Sequence, residues 1–269
     1  NYNELCSTAF WVQLNQRMLL LDPDNAHYAD EIENSVYNML TAAQVEDRGL
    51  HYLGFLDGCK DTRWVDIATC CAATGSRLIS IVPQLLYTHR GSDIYVHLYA
   101  DSTAQLGGTT LRMETELPYG GRVRLTVAES DAPVTLHIRI PRWCGAPVTI
   151  SGVTAQPGTY LVLKDVAAGT VLDFTFPFTY RATRYTGAEE IPGKDRYAFE
   201  YGPLLLAAMG RGGVTVTMDP AHPEQWLARK TANRFTLRGN NHQEFRAYMD
   251  ITDEPLTVYP VVERPQDNG

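Results

Sequence analysis

No cluster of basic residues occurs in this sequence. Its 23 Lys and Arg are outnumbered by 31 Asp and Glu, for a net charge of −8. That balance argues against nucleic acid or an anionic membrane as the main partner, since both require a positive patch. No apolar run approaches the ~20 residues needed to span a bilayer as a helix. Cysteine is scarce as well: five in 269 residues, at positions 6, 59, 70, 71 and 144. An odd and sparse set does not make a disulfide framework, so weight moves to thiolate chemistry or metal binding. What the chain does have is apolar residues, 44% against 20% charged, which implies a packed soluble core in one large domain or two medium ones. The chain starts Asn1-Tyr2-Asn3, without methionine and with a cysteine motif at its very edge. It reads as the C-terminal part of a longer protein, so the compartment stays open.

The hydrophobic period divides the chain near residue 92. Before it the spacing is helical. Leu5, Ala9, Val12 and Leu19 mark one apolar face, stopped at Asp22-Pro23-Asp24. Tyr28, Ile32, Val36, Met39 and Ala43 mark a second, and Ile67, Cys71, Leu78, Ile81 and Leu85 a third that ends near Gly91. Residues 46–66 between the last two read as a loop. From Asp93 the period is two. Ile94, Val96 and Leu98 alternate with polar and aromatic residues, as do Val123, Leu125 and Val127, and Val134, Leu136, Ile138 and Ile140. Leu172, Phe174, Phe176 and Phe178 repeat the pattern, with turn residues between the runs. These are the marks of half-buried antiparallel strands in a β-sandwich. Further strands are expected over 197–208 and 256–262. The expected fold class is α+β and multidomain, with a helical part over 1–92 and a β-sandwich over 93–269.

Glu4-Leu5-Cys6 and Thr69-Cys70-Cys71 together offer three thiolates and one carboxylate, enough for a four-coordinate zinc site. Neither spacing is that of a zinc finger or ribbon, and glutamate is unusual in a purely structural site. Residues one or two apart do not share a helix face. Both pairs should therefore sit in loops or first helical turns. A free thiol has a pKa of about 8.5, and zinc coordination deprotonates it outright. The site reads either as a closed staple between helices or as a reactive thiolate. Cys59 reads as an ordinary thiol or a substitute ligand, and Cys144 as structural. Glu33 and Tyr37 lie one turn apart on a helix, placing a half-buried Glu33 toward a cleft or on a solvated face. His51 and Tyr52 form an aromatic patch suited to a sugar ring or to core packing, with Trp64 a weaker candidate. His137 alternates outward and reads as a surface residue.

These pieces, in this order, resemble glycoside hydrolase family 127, the β-L-arabinofuranosidase-like group. Glu4-Leu5-Cys6 resembles its Glu-x-Cys motif, and Tyr28-Ala29-Asp30 with Glu33 and Tyr37-Asn38 resembles its Tyr-Ala-Asp helix. His51-Tyr52-Leu53 resembles its aromatic strand, and Cys70-Cys71 with Arg77 its Cys-Cys helix. Arg139-Ile140-Pro141-Arg142-Trp143 and Gly202-Pro203-Leu204 resemble two segments of its later domains. Departures are Ala72-Ala73-Thr74 after the cysteine pair, where proline and asparagine are common, and Ala68, where many members have cysteine. The resemblance implies an (α/α)₆ barrel, present here only in its C-terminal helices, followed by β-sandwich domains. It implies Zn²⁺ held by Glu4, Cys6, Cys70 and Cys71, a retaining mechanism with Cys70 as nucleophile, and sugar contacts from Glu33 and Tyr52. The acid/base glutamate would precede Asn1.

The resulting expectation is a zinc-thiolate glycoside hydrolase acting on β-L-arabinofuranosides or a related plant-polysaccharide sugar. The alternatives are a carbohydrate-binding or assembly module with structural zinc, and a fragment inert without its preceding half. The apolar helix faces would then be covered by that half or by a homodimer partner. Bare thiolates favour a reducing, cytoplasmic interior slightly, while the resemblance permits export.

Overall fold

The computed structural model describes residues 2–45, 49–60, 69–187, 191–211 and 213–265. Trp64 and Ile67 lie outside the described residues. The chain is mixed α/β and mostly strand. It divides into two compact units: Asn1–Ala9, Val36–Ser76 and Thr179–Gly269 form one, Phe10–Ser35 and Arg77–Phe178 the other. Among the described residues no helix is long and apolar enough to cross a membrane.

The order begins with strand β1 (Tyr2–Glu4), helix α1 (Leu5–Leu21) and helix α2 (Ala26–Ser35). α1 buries Leu5, Ala9, Val12 and Leu19 as their spacing implies, and stops before Asp22-Pro23. α2 passes into a π turn over Val36–Leu40 and a 3₁₀ turn over Thr41–Ala43. The helical region is not helical throughout. Four short strands follow: β2 (Gln44–Val45), β3 (Gly49–Leu50), β4 (Leu53–Phe55) and β5 (Asp57–Gly58). They are too short to display a period of their own, so sequence pattern alone leaves them as loop.

α3 (Cys70–Ile81) ends in a 3₁₀ turn over Val82–Leu85, short of the expected Gly91. Pro83 lacks the N–H that a continuing α-helix needs. The next residues form β6 (Tyr87–Arg90), a hairpin with β7 (Asp93–Val96) around Gly91 at φ +61°. There follow β8 (Ser102–Leu106), β9 (Thr109–Thr115), β10 (Arg122–Ser130), β11 (Val134–Ile140), a hairpin of β12 (Val148–Ile150) and β13 (Val153–Ala155), β14 (Thr159–Val166) and β15 (Val171–Thr175).

These strands make two four-stranded sheets, β15-β10-β9-β8 and β14-β11-β7-β6. The inward residues are those of the period-two pattern: Leu111, Met113, Val123, Leu125, Val127, Leu172 and Phe174 are all buried. Within these two sheets one pairing departs from the antiparallel expectation, since β11 runs parallel to β7, with Leu136 opposite Ile94. Between them the chain passes through β8, β9 and β10 of the other sheet and so returns in the same direction. A second departure is Arg139, which alternates outward by pattern yet is 0% exposed. At this end of β11 the outer face is covered by α2.

The last stretch contains β16 (Tyr180–Arg184), β17 (Asp195–Tyr201), β18 (Leu204–Met209), β19 (Thr215–Thr217), a short helix over Pro223–Trp226, β20 (Leu227–Arg229), β21 (Arg234–Leu237), β22 (Asn240–Ala247), β23 (Leu256–Thr257) and β24 (Val261–Glu263). They build one large sheet in the order β19-β24-β17-β18-β22-β21-β20, with β16 on β17 and β23 on β18. β5, from the amino-terminal part of the same unit, joins this sheet through β23. A core of Ala42, Ala207, Tyr248, Ile251, Leu256 and Val258 lies alongside.

Candidate active site and metal centre

Glu4 ends β1, Cys6 lies in the first turn of α1, and Cys70 and Cys71 open α3. Both pairs thus occupy helix starts, where irregular backbone lets neighbouring side chains converge. β1 is set by its ladder with β4, in which Glu4 faces Leu53, and the Leu5 amide donates to Tyr52 O at 3.2 Å. α3 is set by Thr69, whose Oγ1 accepts the Ala72 amide at 3.1 Å as an N-cap. Gly75 lets α3 come close. A Cβ there would stand 2.6 Å from methyl carbons of both Leu5 and Leu50.

The four ligand atoms of Glu4, Cys6, Cys70 and Cys71 lie within 4.8 Å of one another. The Cys6 and Cys71 sulfurs are 3.1 Å apart, the Cys71 thiol lies 3.8 Å from Glu4 Oε1, and the Cys6 thiol donates to Thr74 Oγ1 at 3.7 Å. Thr74 is one of the positions that depart from the pattern noted above, and here it bonds to a candidate ligand. Thiolates sharing a tetrahedral zinc stand about 3.8 Å apart. A small outward shift of the sulfurs would seat the ion, and three thiolates with a carboxylate suit zinc chemically. Burial pushes the Cys71 thiol up, so a cation is what would make it a thiolate.

The cluster is asymmetric. Cys6 and Cys71 are buried and Glu4 is half-buried, whereas Cys70 is exposed. Tyr52 shares a side-chain hydrogen bond with Cys70. The Glu4 carboxylate, and after it Cys70, holds the Tyr52 phenol above its usual range, which keeps it a proton donor. Cys59 is exposed and outside this cluster, and Cys144 is buried in the other unit, as a structural thiol would be.

Glu33 belongs to the unit that contains α2 and β11, at 3% exposure. Its Oε1 accepts from Arg139 Nη2 at 2.6 Å and its Oε2 from Trp143 Nε1 at 2.6 Å. Asp30 takes the second Arg139 nitrogen and the Arg142 amide. Burial alone would lower the Arg139 guanidinium, but Glu33 and then Asp30 outweigh it and raise it. His137 is likewise less exposed than its outward position implies, stacked 4.1 Å from Tyr95 and bonded to Asp93 at 2.8 Å. The motifs around Tyr28 and Trp143 were legible separately. That one anchors the other was not, although acids three residues apart on α2 and an arginine amid strand apolars are a usable signal.

A family model described as the β-L-arabinofuranosidase GH127 catalytic domain matches residues 1–84, and one described as the GH127 middle domain matches residues 93–178. Together they account for more than half of the chain. The chain belongs to glycoside hydrolase family 127. Among solved structures, this family 127 chain is similar to a glycoside hydrolase at 20% identity and TM-score 0.76, over 98% of this chain and 52% of that one. It is similar to a GH127 β-L-arabinofuranosidase from Geobacillus stearothermophilus at 21% identity and TM-score 0.69, over 97% and 50%. A GH127 β-arabinofuranosidase matches at 21% identity and TM-score 0.73, over 98% and 51%. At these identities the likeness is one of fold. The family 127 chain spans about half the length of the structures it matches. No curated protein matches it.

Proposed function

We propose that this chain belongs to a retaining glycoside hydrolase acting on β-L-arabinofuranosides or a related plant-polysaccharide sugar, with Cys70 as nucleophile. The observation that carries this reading is the exposure of Cys70 in a cluster whose other sulfurs are buried. A closed staple has no need of an open thiol, whereas a nucleophile must reach its substrate.

The roles follow from position. Glu4, Cys6, Cys70 and Cys71 would hold the metal, and Zn²⁺ when bound would supply the deprotonation that makes the thiols thiolates. Cys70 Sγ attacks the anomeric carbon, forming a carbon–sulfur bond as the glycosidic carbon–oxygen bond breaks. Water then releases the sugar with retained configuration. The start of α3 contributes partial positive charge beside Cys70, which favours the anionic sulfur. Tyr52 holds its proton toward that sulfur and supplies a hydroxyl to the sugar. Of the two expected sugar contacts, Tyr52 enters this reading. Glu33 enters it as the anchor of the Arg139 cluster, because both its oxygens are engaged. The proton donor to the leaving group is not assigned to a residue of this chain. We further propose that α1, α2 and α3 belong to an (α/α)₆ catalytic barrel, with the domain boundary near residue 92. The exposed Phe10, Trp11, Leu14, Leu20 and Leu21 of α1 fit a helix face built to be covered.

The test is release of nitrophenol from a nitrophenyl β-L-arabinofuranoside by the purified parent protein carrying Cys70→Ser, beside Cys59→Ser. Loss of turnover with Cys70→Ser alone, with metal still bound, is the expected result. Full activity in Cys70→Ser sinks the nucleophile. A second reading, a carbohydrate-binding or assembly module stapled by metal, is favoured by the burial of Cys6 and Cys71 at two helix starts. It predicts no turnover by any form and equal folding damage from Cys6→Ser and Cys70→Ser.

A further inference from the structure

The family models end at residue 178, yet residues 248–258 hold β4, the strand that directly follows Tyr52. The upstream end of that strand is tied to the metal ligands through the β1–β4 ladder. Its downstream end is tied to the C-terminal sheet. Leu256 of β23 faces Gly58 of β5, and the Val258 amide donates to Leu56 O at 2.8 Å. The Tyr248 hydroxyl donates to Phe55 O at 2.9 Å. Lys60 closes the arrangement. Its Nζ donates to Ala42 O at 3.0 Å and Tyr248 O at 2.9 Å, and lies 4.5 Å from the centre of the Tyr248 ring.

Lysine is almost never fully buried unless its charge is met, yet Lys60 is only 4% exposed. Its ammonium is met by two carbonyl dipoles and an aromatic face, with the Asp250 and Glu254 carboxylates adding attraction. We propose that Lys60 is a positioning residue for the candidate active site, holding β4, and thereby Tyr52 beside Cys70, from the C-terminal sheet. This rests on the reading of Cys70 and Tyr52 as the reacting centre. Burial lowers the Lys60 pKa to about 8, against the pull of Asp250 and Glu254. Below that pH the folded protein carries a charge that its interior disfavours, so the ammonium form weakens the fold.

The experiment compares Lys60→Met and Lys60→Arg with the unaltered protein. Lys60→Met has similar reach but neither charge nor donors. Three readouts are expected to move together: amide hydrogen exchange over residues 51–58 about tenfold faster, alkylation of Cys70 in metal-free protein several-fold faster, and kcat about tenfold lower with KM and metal content held. Lys60→Arg, which keeps charge and donors, is expected to recover part of each. Unchanged exchange over 51–58 and unchanged kcat in Lys60→Met overturn the proposal. So does a uniform rise in exchange across the chain with a lower melting temperature, which marks a merely structural role. If the unaltered protein cleaves no arabinofuranoside, the hydrolase reading fails, while exchange and alkylation still decide the role of Lys60.

Discussion

Glu33 Oε1 and Arg139 Nη2 meet at 2.6 Å across 106 residues of sequence. Neither side chain reaches solvent: Glu33 is 3% exposed and Arg139 0%. The pair fastens α2 to β11, with Trp143 on the same carboxylate and Asp30 on the same guanidinium. A buried pair of this kind is weak evidence for net stability, but breaking it leaves a charge without a partner.

Arg139→Met is therefore expected to destabilise the protein by about 3–5 kcal/mol, because Asp30 and Glu33 are left buried and uncompensated. Urea unfolding followed by tryptophan fluorescence measures it. A loss below about 1 kcal/mol would show that the two carboxylates find protons or solvent, and that the cluster is not the anchor described.

Gly75→Ala is expected to strain the middle of α3. The added carbon would stand 2.6 Å from Leu5 and Leu50 methyls, and overpacking of this sort costs about 1–3 kcal/mol. Leu50→Ala in the same chain should recover part of the loss. Melting temperatures of the single and double variants decide the point, and equal values for both would refute the close approach.

Acid sensitivity is expected from His97. Its ring is buried between Thr88 Oγ1 at 2.7 Å and Tyr160 Oη at 2.6 Å, and burial, then the Arg139 charge, lowers its pKa to about 3. The unfolded chain binds this proton near pH 6.5, so between those values it holds more protons than the folded one. The His97 contribution is fully present above pH 6.5 and is lost as pH falls toward 3. The slope is at most roughly 1.4 kcal/mol per pH unit. His97→Gln should flatten that part of the profile, and an unchanged profile in urea titrations between pH 4 and 7 would exclude His97 as its source.

Metal content should follow the geometry of the four ligands. Cys6→Ser and Cys71→Ser remove buried sulfurs, and each is expected to weaken zinc binding by more than the roughly 10–100-fold typical of losing an outer partner. Cys59→Ser, at an exposed thiol outside the cluster, is expected to leave about one zinc per chain. Elemental analysis after dialysis against a chelator gives the comparison. Metal loss in Cys59→Ser would redraw the ligand set.

The three α-helices and most longer strands after residue 92 were legible because their apolar residues recur at a period that a single segment can display. So was the grouping of Glu4, Cys6, Cys70 and Cys71 as a possible metal cluster, since two short motifs held all four. The placement of Cys6 and of the Cys70-Cys71 pair at helix starts was also accessible, because residues one or two apart cannot share a helix face. Period says which residues share a face but not what covers it. Arg139 and His137 both alternate outward, and only the packing of α2 on β11 makes Arg139 interior and that of Tyr95 leaves His137 half-buried. The short strands β4 and β5 are decided in the same way, through partners in β1 and β23 rather than through their own residues. Lys60 is the extreme case. It meets Ala42 and Tyr248, 18 and 188 residues away, through their backbone carbonyls, which every residue type carries. Local chemistry, written in spacing and residue type, belongs to the sequence. The burial of charges belongs to the tertiary fold, because it depends on groups brought together from across the chain.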